Sequence, residues 1–533
     1  MVFYRTVLSL KRFFDLLAIF FSILFDFKLN GPERLRIFLE RAGGAFIKLG
    51  QILSLRQNFL PVSYTSELLK LLDSIPSADF FEIEKVFIEE KGRTINYFFH
   101  EFVKEPVASG SIAQVHFGRM KPSFAGLPEE ISPDSYPKVA VKIQRPETKE
   151  KFEGDFSLIC FFADILDFFR FFSSIKAGEI ASDFVRWTKR ELDFKFEAKN
   201  ADIIYKHSEA HVRTVIPKQY LEMTTSRVLF QEFIEGGVKA EDILLGKVTK
   251  KELVEKNINI DEIAVYLIKD EMRQYFIDGF FHADPHPANL VFLPNNKLVY
   301  LDFGIVGEIK TQRLNLLRFL YYGIVKRDVD FIARSFFNVG QKFLREDLHV
   351  FLKDGLHNSH AVQKVIEKIK ELIIEDFKEE LRKITDSWFE SISDKNSSMF
   401  KKSAAVALVK IIKKTEEYGI ILPKEAILFF RALSILDMVA LQLSSDFDMI
   451  KALDAFFTEY PLEKTELMIQ EGSHEEEVGK KIALQPEYEW EFFKEITNLE
   501  KEKILLMKEK MMEIFFYYAE RHEEIRSMLK NLK

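Results

Sequence analysis

The sequence has almost no cysteine, little net charge and no apolar run long enough to cross a bilayer. The single cysteine, Cys160, excludes an intrachain disulfide framework and is typical of a reducing compartment, so we expect a cytoplasmic protein. The 76 lysine and arginine residues are offset by 83 aspartate and glutamate residues, for a net charge of −7. Because a broad basic face would require a basic excess, nucleic acid is not an expected partner.

The longest apolar run near the N-terminus covers residues 16–25 and is bounded by Asp15 and Asp26. A membrane-spanning helix needs about 20 apolar residues, and no small-residue cleavage site of a secretory signal follows. Basic residues precede the run, which is typical of helices that lie on a membrane surface. Two alternatives stay open for residues 1–30: a helix on the inner face of a membrane, or a helix packed on the protein itself.

Apolar residues make up 47% of the chain, enough for a large core and more than one domain. Residues 31–105 have the apolar spacing of helices, and strand-like alternation begins after them. For 106–234 we predict a small sheet with a helical insert. The strands of this sheet that follow the insert are VRTVIP and RVLFQEFIEG. A mostly helical region is predicted over 235–457, and a linker followed by a long amphipathic helix over 458–533.

Two kinase-like motifs lie close together in FFHADPHPANLVFLPNNKLVYLDFG, residues 280–304. His282, Asp284 and Asn289 have the spacing of the kinase catalytic loop, and Asp302 opens a D-F-G element. Asn289 and Asp302 offer the oxygen ligands that Mg²⁺ prefers, and Asp284 offers a carboxylate beside a phosphoryl acceptor. The order and spacing predict phosphoryl chemistry with Mg²⁺ and ATP. The same spacing argues against His282 and His286 as metal ligands: His282 is expected to be a structural residue of the loop, and His286 has no assigned role.

A phosphate-binding lysine is expected upstream, and the strand VAVK supplies Lys142. Its alternation with buried valines directs the lysine toward a cleft. The preceding hairpin PVASGSIAQV stands in place of a glycine-rich loop, because small residues let the main chain approach phosphates. FQEFIEGG is the predicted hinge, whose main chain would bond adenine. With Lys142, the predicted residues for ATP or ADP are Val107, Ala108, Ser109, Gly110, Ser111, Val115, Glu232 and Ile234.

These elements together resemble the UbiB/ADCK family of atypical kinases, which is associated with ubiquinone and other isoprenoid lipid metabolism. The resemblance covers most of residues 31–457. It rests on KLGQ at 48–51, similar to the family's KxGQ motif, on ELDF at 191–194, similar to ExD, on HADPHPAN, and on ASGS in the A-rich loop. It implies an α+β, bilobal protein-kinase-like fold with an N-terminal helical extension and a helical C-terminal tail.

The resemblance also implies roles for residues that the kinase motifs do not include. Glu197 is implied to pair with Lys142, and Glu191 and Asp193 to face a KxGQ element that covers the active site with Lys48 near the phosphates. On one helix Glu191 and Asp193 would not share a face, whereas Glu197 would lie two turns beyond Glu191. The expected catalytic residues are Asp284, Lys142, Glu197, Lys48, Glu191 and Asp193.

Three departures from the family pattern have consequences. Ala288 replaces a glycine, so the catalytic loop must accept a Cβ there. Gly110 lies in a nucleotide loop that is usually richer in alanine, and this glycine would loosen the loop and affect nucleotide preference. The C-terminal tail is too charged to span a membrane, although many members have transmembrane helices there. Membrane contact is therefore expected to be peripheral.

The sequence lacks an A-P-E element after D-F-G, where protein kinases shelve a peptide. We therefore expect a Mg²⁺-dependent ATPase or a small-molecule or lipid-linked phosphotransferase that supports isoprenoid lipid metabolism. One alternative is a nucleotide-binding pseudokinase that acts as a scaffold for lipid-biosynthetic enzymes. Another is a phosphotransferase of the aminoglycoside or choline kinase type, from which KLGQ and ELDF distinguish this chain.

Overall fold

The computed structural model describes most of the chain up to residue 462. The described residues are 2–26, 29–54, 62–68, 71, 77–128, 130–146, 148–168, 177–308, 311–336, 360–394, 396–418, 424–462, 517, 521 and 522. The tail predicted over 458–533 lies almost wholly outside them.

The chain divides into two compact units. The first unit comprises 1–206, 217–235 and 302–304, and the second unit comprises 207–216, 236–301 and 305–533. The D-F-G element thus belongs to the first unit, while the catalytic-loop motif belongs to the second.

The N-terminal part of the first unit is helical. Its helices are α1 (Val2–Leu24), α2 (Gly31–Ala42), α3 (Gly44–Ser54), α4 (Val62–Leu68), α5 (Phe80–Lys91) and α6 (Ile95–Phe98). Asn30 begins α2 with a capping box, since its side chain accepts the Glu33 N–H while Glu33 accepts the Asn30 N–H. Gly43 ends α2 with φ 66°, a conformation that favours glycine. These signals separate α2 from α3, the helix that carries KLGQ.

One side of α1 packs on the protein and the other does not. Leu16 and Ile23 are buried, and Leu16 joins a core that includes residues of α2 and α3. The opposite side exposes Phe14 and Phe21, and Phe25 is exposed just beyond the end of the helix. Among the described residues, no helix is both long and apolar enough to cross a membrane.

The first unit contains a five-stranded antiparallel sheet. Its strands are β1 (Phe99–Phe102), β2 (Ala108–Ser109), β3 (Ala113–Met120), β4 (Lys138–Gln144) and β6 (Val228–Glu232), in the order β1-β3-β4-β6 with β2 paired to β3. Val139, Val141 and Ile143 alternate along β4 and are fully buried, which leaves Lys142 on the other face. The prediction of helices throughout 31–105 is wrong at its end, because FHEF pairs with β3 as strand β1.

Three helices follow β4: α7 (Thr148–Phe168), α8 (Ala177–Glu191) and α9 (Phe194–Ser208). The helical conformation is interrupted between α8 and α9. There the Asp193 side chain accepts the Lys195 N–H at 3.1 Å and so caps α9. The placement of Glu191, Asp193 and Glu197 on one helix is therefore wrong. Glu191 ends α8, Asp193 lies in the break, and Glu197 lies in the first turn of α9.

The second unit has two small sheets. A four-stranded sheet has the order β5-β10-β9-β7, with β5 (Thr214–Val215), β7 (Val238–Lys239), β9 (Leu290–Leu293) and β10 (Lys297–Tyr300). A two-stranded sheet pairs β8 (Phe280–His282) with β11 (Val306–Glu308). The prediction that VRTVIP belongs to the first sheet is wrong, because β5 pairs in parallel with β10.

Helices make up the rest of the described second unit. They are α10 (Ala240–Leu244), α11 (Lys250–Glu255), α12 (Ile260–Arg273), α13 (Thr311–Lys326), α14 (329–336), α15 (His360–Ser393), α16 (Met399–Lys402), α17 (Ala404–Glu417), α18 (Lys424–Leu443) and α19 (Met449–Glu459). The α+β class predicted from the sequence is confirmed, with sheets in both units and a helical region after the D-F-G element.

Candidate active site

Lys142 lies among the residues predicted to bind nucleotide. It is the cross-strand partner of Val115, and Val115 is the partner of Ala108 on β2. Directly opposed residues of neighbouring strands share a face, so these three side chains lie side by side on one face of the sheet. The fold therefore brings the lysine and part of the A-rich hairpin together.

The Lys142 ammonium is held between two carboxylates. Its Nζ lies 2.8 Å from both carboxylate oxygens of Glu197 and 2.9 Å from Oδ2 of Asp302. The Glu197 side chain is only 6% exposed, whereas that of Asp302 is 41% exposed. Glu197 is thus the buried anchor of the lysine, and Asp302 is the carboxylate that a ligand could reach.

Burial and charge oppose each other in this cluster. Burial alone would lower the pKa of Lys142, but the charges of Asp302 and Glu197 outweigh it and raise the pKa above its ordinary value. Burial raises the pKa of Glu197 to about 7, the Asp302 charge adds to the rise, and Lys142 acts in the opposite direction. The lysine therefore stays protonated at neutral pH, which is the form that attracts phosphate.

Helix α9 also fixes the D-F-G element. Asn200, one turn beyond Glu197, donates from its side-chain amide to the Phe303 carbonyl at 3.0 Å. The Gly304 N–H donates to Oδ1 of Asp302 at 2.9 Å. Because these bonds hold the main chain and one carboxylate oxygen, Asp302 is oriented from the same helix that anchors Lys142.

The A-rich hairpin is ordered by main-chain and side-chain bonds. The Gly110 N–H donates to the Ala113 carbonyl at 2.8 Å, and Arg145 donates to the Ser109 hydroxyl at 2.7 Å. Gly110 does not adopt a positive φ, and an added Cβ there would make only an ordinary contact, 3.6 Å from the Ala113 carbonyl. An alanine would fit at this position, so the turn does not require glycine. Val107 and Ser111 flank the hairpin.

The predicted hinge has only part of its main chain available. The Glu232 N–H donates to the Lys218 carbonyl at 2.8 Å, and the Phe233 N–H donates to the Lys138 carbonyl at 3.0 Å. Ile234 lies just beyond the end of β6. The Glu232 N–H is therefore not available to an adenine.

The KLGQ helix reaches the end of α8 through an ion pair. Lys48 Nζ lies 2.9 Å from Oε2 of Glu191. A Cβ on Gly304 would lie 3.8 Å from Cγ of Glu191, so Glu191 lies between Lys48 and the D-F-G element. Asp193, the other carboxylate of the motif, instead bonds the start of α9, as described above.

The start of α3 is held by a buried aspartate on α7. Asp155 accepts the Ala45 N–H at 3.0 Å and an Arg12 bond at 2.8 Å, and Arg12 also donates to the Ala42 carbonyl. Burial raises the pKa of Asp155, and Arg12 opposes the rise. Helix α1 is therefore connected through Arg12 and Asp155 to the helix that carries Lys48.

In the second unit, the catalytic-loop motif lies between β8 and β9. The Asp284 side chain accepts a hydrogen bond from Arg431 of α18 at 2.9 Å. The main-chain N–H of Asp284 donates to the His282 ring at 3.3 Å. Asn289 ends a 3₁₀ turn, Pro287–Asn289. Ala288 does not adopt a positive φ, so the turn accepts its Cβ without strain.

A buried aspartate supports this loop from α12. Gln274 donates to Asp270 at 2.8 Å, and its side-chain carbonyl accepts the His282 N–H at 3.0 Å. Burial by itself would raise the pKa of Asp270, but the Arg273 charge and the accepted hydrogen bonds outweigh it and lower the pKa below its ordinary value. Asp270 accepts hydrogen bonds from the side chains of Thr214, Arg273, Gln274 and Tyr300.

A family model described as the ABC1 atypical kinase-like domain matches residues 70–336. The chain belongs to the ABC1 atypical kinase-like family. The resemblance to the UbiB/ADCK atypical kinases drawn from the motifs is thereby confirmed.

Relatives of this ABC1 chain extend the match. An uncharacterized protein in the hydrogenase 1 5′ region of Clostridium pasteurianum is 30% identical over 456 residues, covering 84% of this chain and 76% of that protein. Protein ACTIVITY OF BC1 COMPLEX KINASE 7, chloroplastic, of Arabidopsis thaliana is 30% identical over 348 residues, 63% of this chain and 46% of that protein. A solved Rv3197–erythromycin complex from Mycobacterium tuberculosis has a TM-score of 0.47 at 21% identity and covers 78% of this chain and 92% of its own.

Two residues near the ABC1 motifs were missed by the sequence argument. Asn200 lies three positions after Glu197 on α9, and that helical spacing could have indicated a shared face. Arg431 lies beyond the residues that the family model matches, in a helix with no motif, so nothing in the sequence pointed to it.

Proposed function

We propose that this ABC1 protein is a Mg²⁺-dependent ATPase or a phosphotransferase with a small-molecule or lipid-linked acceptor. The observation that carries the proposal is the Lys142 cluster, in which one protonated lysine is shared by a buried glutamate and an accessible aspartate. Catalysis of phosphoryl transfer consists mainly of positioning and of charge stabilisation, and this cluster supplies both. The proposal includes a role in ubiquinone or other isoprenoid lipid metabolism, which membership of the family supports.

The donor set suits magnesium. Asp302 and Asn289 offer a carboxylate and an amide oxygen, and Mg²⁺ in nucleotide sites is bound by few protein oxygens together with substrate phosphates. Asp302 and Asn289 would hold the Mg²⁺ ion, whose charge would offset that of the phosphates. Among the described residues, no group of three or more His, Cys, Asp or Glu side chains is placed to hold a metal ion.

Each remaining residue of the proposed site has one task. Lys142 binds the phosphates while Glu197 holds the ammonium in place, and Ala108 and Val115 lie beside it for the nucleotide. Asp284 orients the acceptor hydroxyl or water, or accepts its proton. Lys48 and Glu191 form the pair by which the KxGQ element restricts access to the D-F-G element.

The same features favour a small acceptor over a protein. The D-F-G element is followed by β11 and then by α13, which begins at Thr311, with no A-P-E element in the sequence between them. The sequence element that shelves a peptide in protein kinases is therefore missing after D-F-G. Together with the restricting KxGQ pair, this supports ATP hydrolysis or transfer to a small or lipid-linked acceptor.

A second candidate function is a nucleotide-binding scaffold for lipid-biosynthetic enzymes, with little or no turnover. Retention of Lys142, Glu197, Asp302 and Asn289 supports nucleotide binding in both cases. The two functions differ only in phosphate release, which therefore decides between them.

We also propose that the exposed side of α1 contacts a membrane surface. Phe14 and Phe25 are exposed by 64% and 65%, and Phe21 stacks on Phe25 along the same side. Large aromatic side chains on an outer helix face are typical of helices that lie in the bilayer interface. This would place the protein peripherally, close to lipid-linked substrates.

Phosphate release by the purified protein tests the enzyme function. We expect hydrolysis of ATP with Mg²⁺, with or without lipid vesicles, and its loss in Asp302→Asn together with weaker nucleotide binding. The enzyme proposal is wrong if the parent releases no phosphate and the variant binds nucleotide equally well. A quinone and metabolite profile of a deletion strain tests the isoprenoid role, and an unchanged profile would reject it.

A further inference from the structure

We infer that Arg431 is a positioning residue of the active site, which fixes the orientation of the Asp284 carboxylate and makes α18 part of the catalytic machinery. The inference rests on the proposed function. It adds a residue outside the segment that the family model matches.

The contact is specific on the side of Asp284. Nη2 of Arg431 donates to Oδ1 of Asp284 at 2.9 Å. Within the described part of the chain this is the only hydrogen bond of the Asp284 side chain, whereas its main chain is held separately through His282 and His286. Among the described residues, the loop bonds therefore place the main chain of Asp284, and the Arg431 contact orients its carboxylate.

The contact is equally specific on the side of Arg431. Among the described residues its guanidinium makes no other hydrogen bond. Oδ2 of Asp284 is left without a partner in the same residues, and the side chain is 28% exposed. One carboxylate oxygen is thus held and the other is available to an acceptor hydroxyl or water.

Helix α18 is placed firmly enough to position a side chain. Phe429, two residues before Arg431, stacks on Tyr275 with ring centroids 3.6 Å apart and meets Phe281 edge-on at 5.9 Å. Phe281 lies on β8, three residues before Asp284. Because the same short segment of α18 packs against the strand that leads into the catalytic loop, the position of the guanidinium is set by buried aromatic contacts.

An exposed ion pair contributes little to the free energy of unfolding, and its loss alone would not affect catalysis. A carboxylate that must point at a reacting hydroxyl is different, because misplacement of a catalytic group by about 1 Å can cost about 100-fold in rate. Loss of Arg431 should therefore reduce turnover much more than substrate binding.

The test compares Mg²⁺–ATP hydrolysis by the full-length parent, Arg431→Gln, Asp284→Asn and the double variant. We expect Arg431→Gln to lower kcat at least about tenfold and to change KM for ATP less than about threefold. In the double variant, kcat should match that of Asp284→Asn, because the arginine acts through the aspartate. Arg334→Gln, which removes an exposed Arg–Asp pair on α14, is the matched control and should retain parental kcat.

Parental kcat in Arg431→Gln, or losses that multiply in the double variant, would overturn the inference while leaving the proposed function intact. A parent that releases no phosphate would overturn both. If Arg431→Gln does not fold, Arg431→Lys gives a second test, because lysine keeps the aliphatic stem and the charge but not the planar fork. We then expect kcat to fall at least about threefold at unchanged thermal stability.

Discussion

The two aspartates of the kinase-like motifs each bond a cationic side chain, but the two cations come from different parts of the sequence. Asp302 shares Lys142 with Glu197, and all three belong to segments with a recognisable motif in the first unit. Asp284, in the second unit, is held by Arg431, which lies 147 positions later in the chain. Motif spacing therefore finds the groups expected to touch phosphate or metal, and it does not find a group that another helix brings to them.

The strongest way to break the first arrangement is Lys142→Met. It removes the cation that we propose to bind phosphate and leaves Glu197 and Asp302 without their shared partner. We expect ATP hydrolysis to fall by about 100- to 1,000-fold, measured by steady-state phosphate release.

The matched control for this prediction is Lys85→Met. Lys85 lies on α5 and pairs with Glu82, and both side chains are exposed. Its loss should change hydrolysis by less than about twofold, because exposed ion pairs contribute little. Similar losses in both variants would remove the special role assigned to Lys142.

Asp270→Asn weakens the buried network that supports the catalytic loop around Asp284. Asparagine keeps the shape of the side chain but removes a buried charge that accepts hydrogen bonds from four side chains. We expect the free energy of unfolding to fall by about 3 kcal/mol. Chemical denaturation measures it, with Asp261→Asn as the control because Asp261 is exposed on the same helix. Equal stability of the two variants would show that the network does not support the loop.

The unfolding free energies of the parent and Asp270→Asn should also depend differently on pH. Since the pKa of Asp270 is lowered in the folded state, its ionised form stabilises the protein above the ordinary value of about 4, and this stability is lost as the pH falls through the folded value. We expect the parent to lose stability below about pH 4 more steeply than Asp270→Asn. Parallel curves of unfolding free energy against pH would contradict this.

A smaller effect is expected from Lys48→Gln, which breaks the pair with Glu191 beside the D-F-G element. Access to the nucleotide site should increase, so we expect nucleotide association and dissociation rates to rise about threefold to tenfold, measured by stopped-flow fluorescence. Lys85→Gln is the control, since it breaks a Lys–Glu pair exposed on α5. Unchanged rates in Lys48→Gln would count against a covering role.

The smallest effect on the purified protein is expected at α1. Phe21→Ser combined with Phe25→Ser should reduce flotation with anionic vesicles several-fold while hydrolysis without vesicles stays the same. Phe81→Ser, an equally exposed phenylalanine on α5, serves as the control. Undiminished flotation of the double variant would reject α1 as the membrane contact.

The sequence predicted the fold class and the pairing of Lys142 with Glu197, because strand alternation and family motifs mark both. It failed where tertiary pairing overrides local pattern: FHEF became a strand by pairing with β3, and VRTVIP joined β10 rather than the first sheet. The break at Asp193 was missed because its capping role is visible only once α9 begins. Arg431 could not be predicted, since its partner is chosen by aromatic packing of α18.

Calorimetric titration of Mg²⁺–ATP into the full-length protein tests the central claim most directly, namely that the Lys142 cluster is a metal–nucleotide site. We predict saturable binding that requires Mg²⁺ and is lost or weakened at least about tenfold in Asp302→Asn. Binding of equal strength by the parent and Asp302→Asn, or no binding by the parent, would contradict the account.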